Sequence, residues 1–380
     1  MGHEVMSMWH RVESIVCASL AVGLALSMGS ASADVGTEGG ADSWLPAPQP
    51  AGLLQVWATA WDQDGDPATD PAGYGDPEDD LGFKIRRARV GLEGTADDFR
   101  YSLLLGMAAP YDGVVGGGDE ISLVDANGAA RLVDGLWLSL GLQRVPVSRE
   151  MLINAGNLAL NERSMSTVWL APGRDVGLVL DGSRGGESLN LRVQAGVFNG
   201  NNDPLGDDDP GVLTSLRVDL SKGSGSLAST YGTVEGPTVG IGLDGWHDQS
   251  FSTRSIGAGA DMMLRAGSLS VLAEGRFSRI EPHQGSDIEP PEAWVQTDRI
   301  GGLLQVGYSV GAWEPAVRVS TFDDSRGADD NGDIADALAG VTWHGQGDTI
   351  RIGCGYVKRL ELSGANLSND TARVWFQTQL

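Results

Sequence analysis

The amino-acid sequence predicts an all-β chain: a transmembrane antiparallel β-barrel of about sixteen strands. Three observations carry this reading. Period-two alternation of apolar and polar residues dominates the chain beyond residue 50. The connections between alternating segments run short and long in turn, as in barrels of the outer membrane. Finally, the N-terminus has the order of an export signal, and no later apolar stretch is long enough to span a bilayer as a helix.

A charged start at His10 and Arg11 leads into an apolar run from Ile15 to Met28, followed by the small residues Ala31-Ser32-Ala33. That order predicts a signal peptide over residues 1–33 with cleavage before Asp34, because the apolar run is too short to serve as a membrane span. Residues 34–50, rich in Gly, Ala, Asp and Pro, read as a flexible leader, and 51–380 as the barrel. Cleavage removes Cys17 and leaves Cys354, so no intramolecular disulfide forms. The net charge of −25 argues against nucleic acid, whose phosphates demand a basic face.

Alternation is clearest in Leu189 to Phe198, where Leu189, Leu191, Val193, Ala195 and Val197 share a face opposite Asn190, Arg192, Gln194 and Gly196. Ile350, Ile352, Cys354 and Tyr356 stand likewise against Arg351, Gly353 and Gly355, which turns the Cys354 thiol to lipid. Strands are expected near 52–61, 83–94, 98–108, 119–126, 134–145, 174–182, 188–198, 211–221, 238–248, 254–265, 268–279, 299–309, 311–322, 335–344, 348–358 and 370–380. A soluble sandwich also alternates, so the connections decide. Tight turns fall at Ala96-Asp97, Arg184-Gly185-Gly186, Ala266-Gly267, Gly311-Ala312 and Gly345-Gln346-Gly347, whereas long connections such as Asp62–Gly82, Pro146–Gly173 and Asp323–Ile334 take the other parity. The stretch 222–237 breaks the pattern, being long where a turn is expected. Acid gathers on the long side, at Asp76 to Asp80, Asp207 to Asp209 and Asp329-Asp330 among others, and solvated loops account for the charge. Trp137, Trp169, Trp246, Trp313, Trp343 and Trp375 lie near expected strand ends, where several should form interfacial girdles.

The segment Phe83-Lys84-Ile85-Arg86-Arg87-Ala88-Arg89-Val90-Gly91-Leu92-Glu93-Gly94, then Phe99-Arg100-Tyr101-Ser102-Leu103, resembles the phosphate-selective porin O and P family. Gly141 to Glu150, Asn161-Glu162-Arg163-Ser164, Arg174-Asp175-Val176-Gly177, Gly196 to Gly200, and Gly307-Tyr308 with Glu314-Pro315 follow in the family's order. The resemblance implies a porin of sixteen strands, a homotrimer with a loop folded inward to constrict the pore and with arginines or lysines lining an anion path. Its partners are membrane lipid and small solutes or inorganic anions.

On the basic strand, strict alternation would turn Arg87 and Arg89 to lipid, at roughly 2–4 kcal/mol each. A bulge near Arg86-Arg87 is therefore expected. It places Lys84, Arg86 or Arg87, Arg89 and Glu93 in the lumen. Arg100, Arg192, Arg217, Arg318 and Arg351 reach the polar face by plain alternation. They extend a basic track or, equally, pair with Glu93, Glu274 and Glu314 as lumen salt bridges. The connection 146–173 carries Arg149, Glu150 and Arg163, with Arg174 just beyond, and is too long for a plain turn; it reads as the constriction loop. Asp62, Asp64 and Asp66 space carboxylates as calcium-binding loops do, but no bidentate glutamate closes the pattern, and solvated acid is the competing reading. No other cofactor is implied, and no nucleophile elbow or paired metal-ligand spacing points to an enzyme.

The expected function is passive diffusion of small hydrophilic solutes across the outer membrane, with a weak anion preference, phosphate included, carried by Arg86, Arg89, Arg100 and Arg163. The alternatives are a plugged structural or adhesive barrel without conductance, and a secreted sandwich.

Overall fold

The computed structural model describes residues 47–59, 82–108, 121–186, 188–200, 211–250, 253–283, 296–345, 348–364 and 370–380. The expected signal peptide, most of the leader, and the acidic runs holding Asp62, Asp64, Asp66, Asp76 to Asp80 and Asp207 to Asp209 lie outside these residues.

Gln49–Leu380 forms one compact unit. Its strands are β1 (Gln49–Thr59), β2 (Gly82–Thr95), β3 (Phe99–Ala108), β4 (Ser122–Val133), β5 (Leu136–Arg144), β6 (Arg174–Gly186), β7 (Leu189–Phe198), β8 (Val212–Lys222), β9 (Val234–Gln249), β10 (Thr253–Gly267), β11 (Leu269–Pro282), β12 (Thr297–Tyr308), β13 (Trp313–Asp323), β14 (Ile334–Gly345), β15 (Ile350–Glu361) and β16 (Thr371–Gln379). Each pairs antiparallel with its sequence neighbours, and β1 pairs with β16 to close the barrel. Closure leaves no strand edge, the condition for a sheet to sit in hydrocarbon where no water satisfies backbone groups. Among the described residues no helix is long and apolar enough to cross a membrane.

All sixteen expected strands are present. β4 differs most, running on to Val133 rather than stopping near 126. Asn127-Gly128, a turn signal in isolation, lies inside the strand, where the Phe99 ring covers Gly128 from β3 at 3.5 Å from where a Cβ would stand. The turn falls instead at Asp134-Gly135, with Gly135 at φ 75°.

Alternation survives as two faces. On β13, Trp313, Val317 and Val319 are exposed while Glu314, Arg318 and Ser320 are buried. On β7, Leu189, Leu191, Val193 and Val197 are exposed and Phe198 is buried. Cys354 is exposed on β15 beside Ile352 and Tyr356. The bulge on β2 is where the charge argument requires it: Gln55 pairs with Arg87 and Val56 with Ile85, leaving Arg86 as the extra residue. Phe83 and Ile85 consequently point out, and both guanidiniums point in.

The apolar core is the contact between the barrel wall and the chain between β5 and β6. Val145 and Val147 pack with Val179, Phe198 and Leu213. Ile153 and Leu158 pack with Met263, Leu272 and Leu303, and Ala159 and Leu160 with Tyr231, Ala316, Leu338 and Val357. Each fully buried leucine contributes about 1.5–3 kcal/mol.

The tryptophans divide between the outer face and the interior. Trp313 and Trp343 face each other across β13 and β14, Trp313 on the exposed face. Trp375 is buried instead, its ring 2.3 Å from where a Cβ on Gly353 would stand, and Trp246 covers Gly257 in the same way. Trp169 stacks on Phe322, and Trp137 receives Arg100 over its ring. Indoles near strand ends fill space over glycines and guanidiniums as readily as they seek an interface.

Candidate functional site

The connection between β5 and β6 carries two short helices, α1 (Arg149–Leu152) and α2 (Met165–Leu170), separated by a 3-10 turn at Ala155–Asn157. Side-chain caps set the helices: Ser148 Oγ accepts from the Met151 amide and Ser164 Oγ from the Thr167 amide. Ser148 holds φ 63°, a backbone state that persists only where surrounding contacts over-determine it. Those contacts include its own N–H, which donates to Asp244 on β9 at 3.0 Å.

The partners of this connection lie all round the barrel, which places it inside. On one side Glu162 accepts from Arg86 at 2.8 Å and from Arg87 at 2.9 Å on β2. Asn161 accepts from Gln55 on β1, which also bonds Gln377 on β16. On the opposite side Arg149 reaches Asp219 on β8 and Asp261 on β10, each at 2.5 Å. Between them Arg318 on β13 donates to the Glu162 carbonyl at 2.7 Å and to Glu150 at 3.4 Å. Arg351 on β15 donates to the carbonyls of Gly156 and Leu158, both at 2.8 Å.

The wall behind α1 is an alternating lattice of charge. Arg217 bonds Asp219, Asp244 and Asp261 at 2.7, 2.9 and 2.8 Å. Arg276 bonds Asp244 and Glu274 at 2.5 and 3.1 Å. Gly242 makes room for it, since a Cβ there would fall 2.3 Å from the Arg217 guanidinium. Such pairs stabilise only when complete; removing one partner strands a buried charge at about 3–5 kcal/mol.

The inner face of β3 to β7 differs. Arg100 on β3 and Arg192 on β7 flank Asp181 on β6 at 3.8 and 2.6 Å, and keep 42% and 45% of their side chains exposed, against 1% for Arg217. Arg100 and Arg192 thus stay accessible from the interior of the barrel. Nearby, Arg89, Glu93 and Asp125 line a cavity of 230 Å³ beside Asn154–Asn157.

The expected site residues thus separate into groups. Arg86, Arg87, Arg149, Glu150, Arg163, Arg174, Arg217, Arg318 and Arg351 are buried against the inward chain or its anchoring wall, Arg174 through Asp125 at 3.1 Å. Arg100 and Arg192 remain open. Lys84 lies 5.6 Å from the ring centre of Trp57, over which Arg86 and Arg373 also sit. Sequence reading passed over Asp181, Asp219, Asp244 and Asp261, each at an inward position of its strand's alternation. Among the described residues one carboxylate group could hold a metal ion: Asp323, Asp324 and Asp333, with oxygens within 4.8 Å of one another.

A closed sixteen-stranded antiparallel barrel with a long connection folded across its interior is the fold of outer-membrane porins. The model of the family described as phosphate-selective porin O and P matches residues 62–221, which hold β2 to β7, the inward connection and nearly all of β8. Over this segment the chain is similar to that family.

Solved structures share the fold. Pseudomonas putida OprB matches at 11% identity with a TM-score of 0.58, covering 88% of this chain and 94% of its own. An anion-selective porin from Comamonas acidovorans matches at 11% and 0.55, covering 88% and 99%. The trimer form of OmpT from Vibrio cholerae matches at 10% and 0.54, covering 88% and 99%. No curated protein sequence matches the chain.

Proposed function

We propose that small hydrophilic solutes diffuse passively along the β3–β7 side of the interior, past Arg100, Asp181 and Arg192, with a weak preference for anions. The carrying observation is the pair of open guanidiniums, Arg100 and Arg192, 42% and 45% exposed, set about the single carboxylate of Asp181, two positive groups to one negative. Arg144, Arg265 and Arg351 donate to backbone carbonyls of Leu152, of Ser226, Tyr231 and Gly232, and of Gly156 and Leu158. Held by neutral carbonyls rather than by a bonded carboxylate, these guanidiniums add to the positive field of the interior. Acids in outer loops act across solvent, where the Debye length of about 8 Å screens them from an ion already in the constriction. The working unit is a homotrimer, by analogy with the trimer form of OmpT, and it carries no catalytic step. Reversal potentials across planar bilayers under a KCl gradient test the reading: a small potential of anion-selective sign is expected. A silent bilayer would instead support a plugged barrel, a reading favoured by the breadth of the inward chain's anchoring.

A further inference from the structure

The β8–β9 connection, residues 223–233, occupies the end of the barrel where β2–β3, β4–β5, β6–β7 and β10–β11 are joined by tight turns. About two to five residues suffice for such a hairpin. The surplus is not spent in solvent: Thr230 is fully buried and Tyr231 nearly so.

Its partners are the tip of the inward chain. The Thr230 amide donates to the Asn157 carbonyl at 3.0 Å, and Thr230 Oγ1 accepts from the Ala159 amide at 2.8 Å. Asn157 Nδ2 donates to the Ala228 carbonyl at 3.2 Å, and the Tyr231 hydroxyl to the Gly156 carbonyl at 3.4 Å. The other side of the segment is fixed to the wall. Arg265 on β10 grips the Ser226, Tyr231 and Gly232 carbonyls at 2.8, 2.5 and 3.0 Å, and the Gly232 amide donates to Glu314 on β13 at 2.9 Å. The Tyr231 ring lies between Arg351, 4.0 Å from its centre, and His344, 4.9 Å between ring centres.

The 3-10 turn at Ala155–Asn157 has no side-chain cap. Its shape is imposed from outside, by Arg351 and Gln377 from the wall and by Thr230 and Tyr231 from below. We propose that the β8–β9 connection is a strut that positions the constriction loop from the short-turn end, periplasmic in outer-membrane barrels, and so sets the clearance left to solutes. Thr230 and Tyr231 are its positioning residues. The inference rests on the interior being a solute pathway.

The test uses the full-length protein in planar bilayers with Thr230→Val, Tyr231→Phe and the conservative Thr230→Ser, alongside amide hydrogen exchange of residues 155–161 in the same preparations. Loss of the Thr230 acceptor should raise open-channel noise severalfold and speed exchange at Ala159, while Thr230→Ser returns both toward the parent. Heat-modifiable mobility should stay at the parent value, separating loosened positioning from general instability. Parent-like noise, conductance and exchange in both Thr230→Val and Tyr231→Phe would overturn the strut. A parent that does not conduct, with exchange still faster in Thr230→Val, would overturn the solute pathway and leave the positioning role standing.

Discussion

Arg87 on β2 and Glu162 in the inward loop hold each other at 2.9 Å across 75 residues of chain, with the Arg87 side chain wholly buried. Arg86, the extra residue of the bulge, bonds the other oxygen of the same carboxylate at 2.8 Å. A regular strand would send one of these neighbours to lipid. The bulge therefore converts a lipid-facing penalty into a two-armed clamp on the loop.

Replacing Glu162 with Gln should leave two guanidiniums sharing a neutral acceptor. We expect a loss of about 3–5 kcal/mol in barrel stability, read as a lower temperature for the shift from folded to unfolded mobility in detergent. An unchanged transition would show that the clamp adds nothing to the fold.

Charge reversal at the open side should act on ions, at a smaller cost to stability than reversal of a fully buried arginine. Arg100→Glu and Arg192→Glu are expected to move the reversal potential toward cations, more at low salt than at high because screening weakens the effect. The same reversal at Arg217, which is shut into its lattice, should chiefly impair folding. Selectivity unmoved by the first two variants would rule out the β3–β7 side as the path.

Cys354 stands on the outer face of β15 with Ile352 and Tyr356. In intact barrels in lipid it should resist a membrane-impermeant maleimide and react with a lipid-soluble one. Rapid labelling by the impermeant reagent would contradict the register of β15.

Burial pushes the Tyr231 phenol above its ordinary pKa, with the nearby Arg351 charge opposing. The folded state thus favours the neutral ring, and the sign follows from linkage. That contribution is fully present below the unfolded pKa of about 10 and is lost as pH rises through the higher folded value. Across this range the stability of the parent should fall more steeply than that of Tyr231→Phe, as followed by detergent unfolding against pH.

Much of this was legible in the sequence because it is local. Alternation located every strand, and the cost of turning Arg87 and Arg89 to lipid located the bulge. The length of 146–173 marked the inward loop. Partner choice was not legible. Whether Arg217 meets solute or Asp244, 27 residues away, depends on barrel register rather than local spacing. The same holds for Trp375, whose near-terminal position suggested an interface while its true neighbour is Gly353 on the adjacent strand. Residues 222–237 announced themselves only as an irregularity, since their partners at 156–159 lie far back in the chain.

The pairing of β1 with β16, with Val56 opposite Phe376, constrains the order of biogenesis. The inward loop emerges when only five strands have been made, and the walls that receive Arg149, Glu150 and Gly156 are still unsynthesised. Until β8 and the strands after it arrive, β1 and β2 offer partners to only one flank of the loop, through Gln55, Arg86 and Arg87. Such distant pairings make folding slow. A half-built sheet meanwhile exposes both a hydrogen-bonding edge and a belt of unmatched guanidiniums, so the nascent chain needs a chaperoned passage and an insertion step that admits the loop before the seam is sewn.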